Sequence, residues 1–249
     1  MKLATKCIYQ KLARALLVGI LAGLWLSVSI PAKAYDEEEA PPSARSSGSR
    51  GCATESLPQA ATVPGIILLV PDRQVSKTVS TRPTFAWFVR DANNRPIEFR
   101  LYESRGNDFK LLKEIKGENF TSRPGIMVLS PQDIPELSPQ KRYRWQVEVI
   151  CNPSRPSSNI FAAAEIQVVP ISPELKNQIN TTSDPLKQAK LYAEANLWYD
   201  SLASVLIFAG NSPSIENFRL SLFRKIATNN KEEQLFKYSA IFPVNLGFN

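Results

Sequence analysis

The chain has 249 residues, with 30 Lys plus Arg against 23 Asp plus Glu, 43% hydrophobic residues, three cysteines and no histidine. That is enough length and apolar content for one or two domains with a filled core. Without histidine there is no Ser-His-Asp triad, no Cys-His dyad and no imidazole metal ligand, so carboxylates, Tyr, Lys and Ser are the catalytic groups left.

Met1 to Arg14 carries Lys2, Lys6, Lys11 and Arg14 and no acid. Ala15 to Ile30 is uncharged and largely apolar, Pro31 breaks it, and Ala32-Lys33-Ala34 supplies the small residues a signal peptidase reads. The order is that of a secretory signal, residues 1–34, cleaved after Ala34. The apolar run is shorter than the ~20 residues of a spanning helix. An uncleaved anchor is the competing reading, and no Leu-x-x-Cys lipobox follows the run. Membrane contact is therefore expected only through the signal before cleavage, with the product secreted or periplasmic. Residues beyond 34 hold 25 basic and 23 acidic side chains, so the basicity belongs mostly to the signal. No clustered basic face remains for nucleic acid.

Two cysteines survive cleavage, Cys52 and Cys151. In an oxidising compartment they most simply form one disulfide. Closing a loop of roughly a hundred residues contributes up to about 4.7 kcal/mol in the chain-entropy picture. The rival, a reactive thiol at Cys151, needs a nearby cation or a helix N-terminus, whereas Cys151 ends a strand-like run.

Residues 35–64 form a lead that starts acidic, Asp36-Glu37-Glu38-Glu39, and continues through Pro41-Pro42 into a Ser/Gly/Arg stretch. Such a composition cannot offset its ordering entropy by burial, which predicts a disordered spacer.

Residues 65–170 read as strands. From Arg142 to Cys151 the chain alternates strictly, with Tyr143, Trp145, Val147, Val149 and Cys151 on one side and Arg142, Arg144, Gln146 and Glu148 on the other. Period two is the mark of a half-buried strand. Phe85, Trp87 and Val89 repeat it, as do Ile97, Phe99 and Leu101, and then Ala162, Ala164, Ile166 and Val168. Ile66 to Val70 is a short apolar run ended by Pro71. Phe109 to Ile115 and Ile126 to Leu129 are weaker candidates, and Gly106-Asn107-Asp108 signals a hairpin. About seven short strands predict a β-rich, α+β chain built on an antiparallel β-sandwich. Leu137-Ser138-Pro139 to Tyr143 and Trp145 resembles the start of strand F in immunoglobulin-like fibronectin type III domains. There a Tyr hydroxyl bonds back to the chain at a corner.

Residues 171–249 change to a helical period. Asp184-Pro185 is a helix start, and Leu186, Ala189, Ala193 and Leu197 make one apolar stripe. Trp198-Tyr199-Asp200 leads into a second helix, Leu202 to Ala209, ended by Gly210-Asn211. Ser212-Pro213 starts a third, striped by Ile215, Phe218, Leu222 and Ile226, and Lys231 to Ala240 makes a last one. Tyr192 to Ala203 looks like the middle of a tetratricopeptide (TPR) hairpin, with no second copy at the repeat spacing. A small helical region packed on the sandwich follows.

In order along the chain stand Gly51-Cys52, Leu69-Val70-Pro71, Pro83 to Val89, Tyr143 through Cys151, and Trp198 to Leu202. This succession resembles the cyanobacterial family of domain of unknown function 928, from about Gly51 to the last helices. The resemblance implies an exported protein with no assigned activity and no catalytic residues to carry over.

The chain has no Gly-rich phosphate loop, no Cys-x-x-Cys and no EF-hand loop, so no cofactor and no metal is expected. Asn119-Phe120-Thr121 and Asn180-Thr181-Thr182 match the glycosylation pattern by chance in a bacterial protein. A glycoside hydrolase needs two carboxylates, one with a raised pKa. Alternation puts Glu98, Glu148 and Glu165 on the solvent side. Glu103 follows Ile97, Phe99 and Leu101 inward, but strand ends splay to water, so an exposed carboxylate is expected there too. No enzyme is expected. The binding candidates are Phe88, Arg100, Tyr102 and Arg144, outward aromatics flanked by arginines that could stack on sugar or anchor a protein. Alternatively the helices cover them, with Trp198 and Tyr199 docking. The leading expectation is an exported protein-interaction module of the periplasm or envelope. A module binding envelope polysaccharide is the second.

Overall fold

The computed structural model describes Cys52, residues 64–72, 74–90, 94–106, 108–206, 212–244 and Leu246. The expected export signal, its expected cleavage point and most of the lead lie outside the described residues, as does the expected helix end at Gly210-Asn211.

Nine strands and five helices are found among the described residues. The strands are β1 (Ile66–Leu68), β2 (Ser76–Thr78), β3 (Phe85–Val89), β4 (Ile97–Arg105), β5 (Asp108–Ile115), β6 (Gly125–Leu129), β7 (Arg142–Val149), β8 (Ile160–Val168) and β9 (Ile241–Pro243). The helices are α1 (Pro173–Asn180), α2 (Pro185–Glu194), α3 (Trp198–Leu206), α4 (Pro213–Ile226) and α5 (Asn230–Tyr238). Two open sheets result, a four-stranded one in the order β1-β3-β6-β9 and a five-stranded one in the order β2-β8-β7-β4-β5. The fold is mixed and β-rich.

The sheets are not wholly antiparallel, which corrects the expected architecture. β2 runs parallel to β8, and β9 runs parallel to β6. Both are three-residue edge strands reached by long connections rather than tight turns, so no hairpin imposes an antiparallel direction on them.

The inner faces of the two sheets share one core, because alternation along β3, β4, β7 and β8 turns large apolar side chains the same way. Phe85 lies at its centre, with ring centroids 5.3 Å from Phe99 and 4.8 Å from Trp145. Burying an aromatic of this size stabilises the fold by roughly 1.5–3 kcal/mol. A second cluster forms where Ile67, Leu69, Ala86, Phe88, Ile126 and Val128, the outer face of the four-stranded sheet, meet helix residues such as Leu202, Phe223 and Phe236. These strands are apolar on both faces because both are covered.

Helix starts follow the local sequence. The Asp184 carboxylate accepts the Leu186 amide at 2.9 Å, with Pro185 as first helical residue. α2 ends at Glu194, and Asn196, two residues on, has a φ of 56°, the left-handed conformation that follows a helix stop. α3 then begins at Trp198, not at Leu202 as expected, so Trp198-Tyr199-Asp200 is the first turn of a helix and not its approach. Cys52 and Cys151 form a disulfide across 99 residues, with Cα atoms 5.2 Å apart.

Candidate functional site

The four binding candidates do not form one surface. Phe88 lies on the four-stranded sheet and is buried, its ring 5.6 Å from Phe236 of α5. Arg100, Tyr102 and Arg144 lie on the outer face of the other sheet, where Tyr102 stands opposite Arg144 in the β4–β7 register. Alternation correctly turns all four outward, but from two different layers. Tyr102 is also buried, so neither aromatic is free to stack on a ligand.

Arg100 organises the outer face of the five-stranded sheet. Its guanidinium bonds Glu98 on its own strand, Glu114 on β5 at 3.0 Å and Glu148 on β7 at 2.9 Å. Burial works to lower the Arg100 pKa, and the Glu114, Glu98 and Glu148 carboxylates outweigh it and leave it raised. Burial likewise tends to raise Glu114, but Lys116 and Arg100 hold it below the ordinary carboxylate range. Asn159 and Gln146 donate to Glu148 at 2.9 and 3.2 Å. Arg144 pairs with Glu165 at 2.7 Å and lies 3.9 Å above the Phe109 ring.

Glu98 and Glu148 stand directly across the β4–β7 ladder, which sequence reasoning did not bring together. Arg100 bridges the two, its guanidinium pairing with both carboxylates. Glu103 does not splay to water as expected but is buried, because the Lys141 ammonium and Arg105 pair with it; they hold it below its usual range, the opposite of what a general acid needs. It borders an open cleft of about 550 Å³ with Arg105, Gln140, Lys141, Arg142 and Gln167, and no second carboxylate lines that cleft. Another cleft, of about 480 Å³, lies between β2 and the helices and is lined by Ser76, Lys77, Asn196, Trp198 and Lys225 among others, with no acid. Among the described residues no group of three or more Cys, Asp or Glu side chains could hold a metal ion.

The most consequential side chains that sequence reasoning undervalued belong to the first turn of α3. The Trp198 indole donates to the Leu69 carbonyl at 2.8 Å, just beyond β1. Tyr199 enters the inter-sheet core, where its hydroxyl accepts from the Trp145 indole at 2.7 Å. The Asp200 carboxylate accepts the Thr78 hydroxyl and the Val79 amide, both at 3.1 Å. Ser201 donates to the Ala189 carbonyl at 2.8 Å and ties α3 to α2. Four successive residues thus hold both sheets and a neighbouring helix. Burial pushes the Asp200 pKa up to about 6 against the pull of Val79 and Thr78, and burial also raises Tyr199. A charged residue directly after Trp-Tyr, in an otherwise apolar turn, was the available signal.

The family model described as Domain of Unknown Function (DUF928) matches residues 45–231. The chain belongs to this family. The match takes in Cys52 and Cys151, strands β1–β8 and helices α1–α4, and leaves β9 outside. The sequence landmarks of the DUF928 chain are thus the disulfide, the core aromatics and the α3 anchor, which hold the molecule together; of the anchor, Trp198 also lines the β2–helix cleft. No curated protein matches the chain.

Proposed function

We propose that this protein is an exported, non-catalytic interaction module of the periplasm or cell envelope, of cyanobacterial origin. The observation that carries the reading is the contrast between covered and uncovered apolar groups. Helices close the outer face of the four-stranded sheet, whereas Leu111, Leu112 and Phe161, each 37% exposed, remain on the five-stranded sheet. Apolar side chains left at a sheet edge are what a partner strand or loop buries. The disulfide fits an oxidising compartment. Among the described residues no helix is long and apolar enough to cross a membrane.

The finer fold reading is an immunoglobulin or fibronectin type III-like sandwich. The orders β1-β3-β6 and β8-β7-β4-β5 correspond to strands A-B-E and G-F-C-C′ of that family. The Ser138 amide donates to the Tyr143 hydroxyl at 2.8 Å, as in a tyrosine corner. The close contact of Ala189 with Ser201 supports a TPR-like hairpin for α2 and α3. In this reading residues 1–34 are the signal, 35–64 a spacer, 65–170 the sandwich and 171–249 a helical region docked on it.

The test is affinity capture from envelope extract at several salt concentrations, with Leu111→Asp and Phe161→Asp as controls. A specific partner lost in the controls supports the reading, and no specific partner rejects it. The second reading, an envelope polysaccharide ligand, rests on Trp198 and Lys225 in the β2–helix cleft. It requires glycan binding that Trp198→Phe leaves weakened.

A further inference from the structure

β5 is the outermost strand of the five-stranded sheet, and among the described residues it pairs only with β4. Its outward amides and carbonyls form the kind of edge to which another strand adds. Charges and bulges blunt an edge, and four of the eight residues of β5, Asp108, Lys110, Lys113 and Glu114, are charged. The strand is nonetheless long, Asp108–Ile115, and exposes Leu111 and Leu112 at its middle. Its register is irregular at that point: Leu111 is opposite Tyr102, Lys113 is opposite Leu101, and Leu112 is the extra residue of a bulge.

The register also assigns faces, because residues directly opposite share one. Leu101 and Phe99 belong to the core, so Lys113 and Ile115 are on the inward side of the edge. Lys110, opposite Glu103 and two residues along β4 from Leu101, is on that side too. Both Glu103 oxygens are taken by Lys141 and Arg105. Lys113 acts on Asp133 through space. Among the described residues neither Lys110 nor Lys113 forms an ion pair.

These positions discriminate between partners. In a two-fold pairing of β5 with a second copy that keeps every side chain on its own face and sets Leu111 opposite Leu112, Lys110 falls opposite Lys113 twice. Directly opposed side chains have Cβ atoms about 5 Å apart, and like charges there are destabilising. An acidic strand in the same place meets both lysines favourably and buries the two leucines. We propose that the β5 edge accepts an extended acidic segment of a partner protein as an added strand, and that Lys110 and Lys113 exclude self-pairing. This rests on the interaction-module reading and adds the surface and the chemistry of the partner.

The probe is a labelled nonapeptide alternating Glu and Val, titrated by fluorescence anisotropy into the secreted protein with its disulfide intact. Saturable binding is expected, with none for the Lys/Val counterpart and none when alternate peptide amides are N-methylated. Lys110→Glu with Lys113→Glu should weaken binding by roughly tenfold or more and reverse the charge preference. Lys110→Glu alone makes the two-fold pairing charge-complementary, so in sedimentation this variant should dimerise where the wild type is monomeric. Absent binding, indifference to N-methylation or to the lysines, or a wild-type dimer abolished by Leu112→Asp overturns the proposal. A natural partner that still binds the double variant would overturn it while leaving the interaction-module reading intact.

Discussion

The outer faces of the two sheets are built from different sequences and have different fates. Ile67, Leu69, Ala86, Phe88, Ile126 and Val128 make one of them apolar, and the helices cover it. Glu98, Arg100, Arg144, Gln146 and Glu148 make the other polar, and it is laced by ion pairs around Arg100. A strand apolar on both faces therefore marks where the helical region docks, and clean alternation marks where it does not. Phe88 and Tyr102 look alike along the chain, yet Phe88 packs against a helix while Tyr102 lies on the ion-paired face opposite Arg144.

The largest expected effect separates the two faces directly. Phe88→Ala should cost about 3–5 kcal/mol in urea unfolding, since it leaves a cavity against Phe236 and Phe223. Phe161→Ala, at a partly exposed position on the other outer face, should stay within about 0.5 kcal/mol. Equal losses would break the comparison.

Asp200 tests the anchor between helix and sheet. Its folded pKa of about 6 lies above the ordinary value of about 3.9, so between those pH values the native state holds a proton that the unfolded chain releases. Its contribution is full below about pH 4 and is lost as pH rises through about 6. Asp200→Asn removes the charge and keeps one oxygen to accept the Val79 amide, while its NH2 faces the Thr78 hydroxyl, which can turn to accept. Relative to wild type it should therefore gain on the order of 1–3 kcal/mol between pH 4 and 7. A constant difference across that range would show that Asp200 is not desolvated. Tyr192, raised mainly by burial and then by Asp200, is the neighbouring group whose titration should shift at high pH in the same variant.

The smallest effect belongs to the ion-paired face. Arg100→Met leaves Glu98, Glu114 and Glu148 repelling one another, yet the site is partly solvated, so about 1 kcal/mol is expected. The loss should shrink in high salt as the carboxylates are screened. A salt-independent loss would mean that Arg100 acts by packing its stem.

β3, β4, β7 and β8 were legible because each buries large side chains at every second residue. β2 and β9 were not, because Ser76-Lys77-Thr78 and Ile241-Phe242-Pro243 are too short to display a period and are recruited by edges formed elsewhere. The Cys52–Cys151 bridge was readable from the count of thiols and an expected oxidising compartment, without geometry. The Glu98–Glu148 juxtaposition and the Leu112 bulge depend on register, which no local pattern encodes.

By itself the amino-acid order determined the β-then-α sequence of elements, the inward set of aromatics, the cysteine pairing and the poverty of catalytic groups. These follow from periodicity and composition, which are properties of neighbouring residues. Only the tertiary structure decided which outward face the helices cover, that Trp198-Tyr199-Asp200 grips both sheets, and that β5 is left as an open edge flanked by two lysines. Those outcomes depend on which strands become neighbours across long connections, and that is settled by the global packing of the two layers.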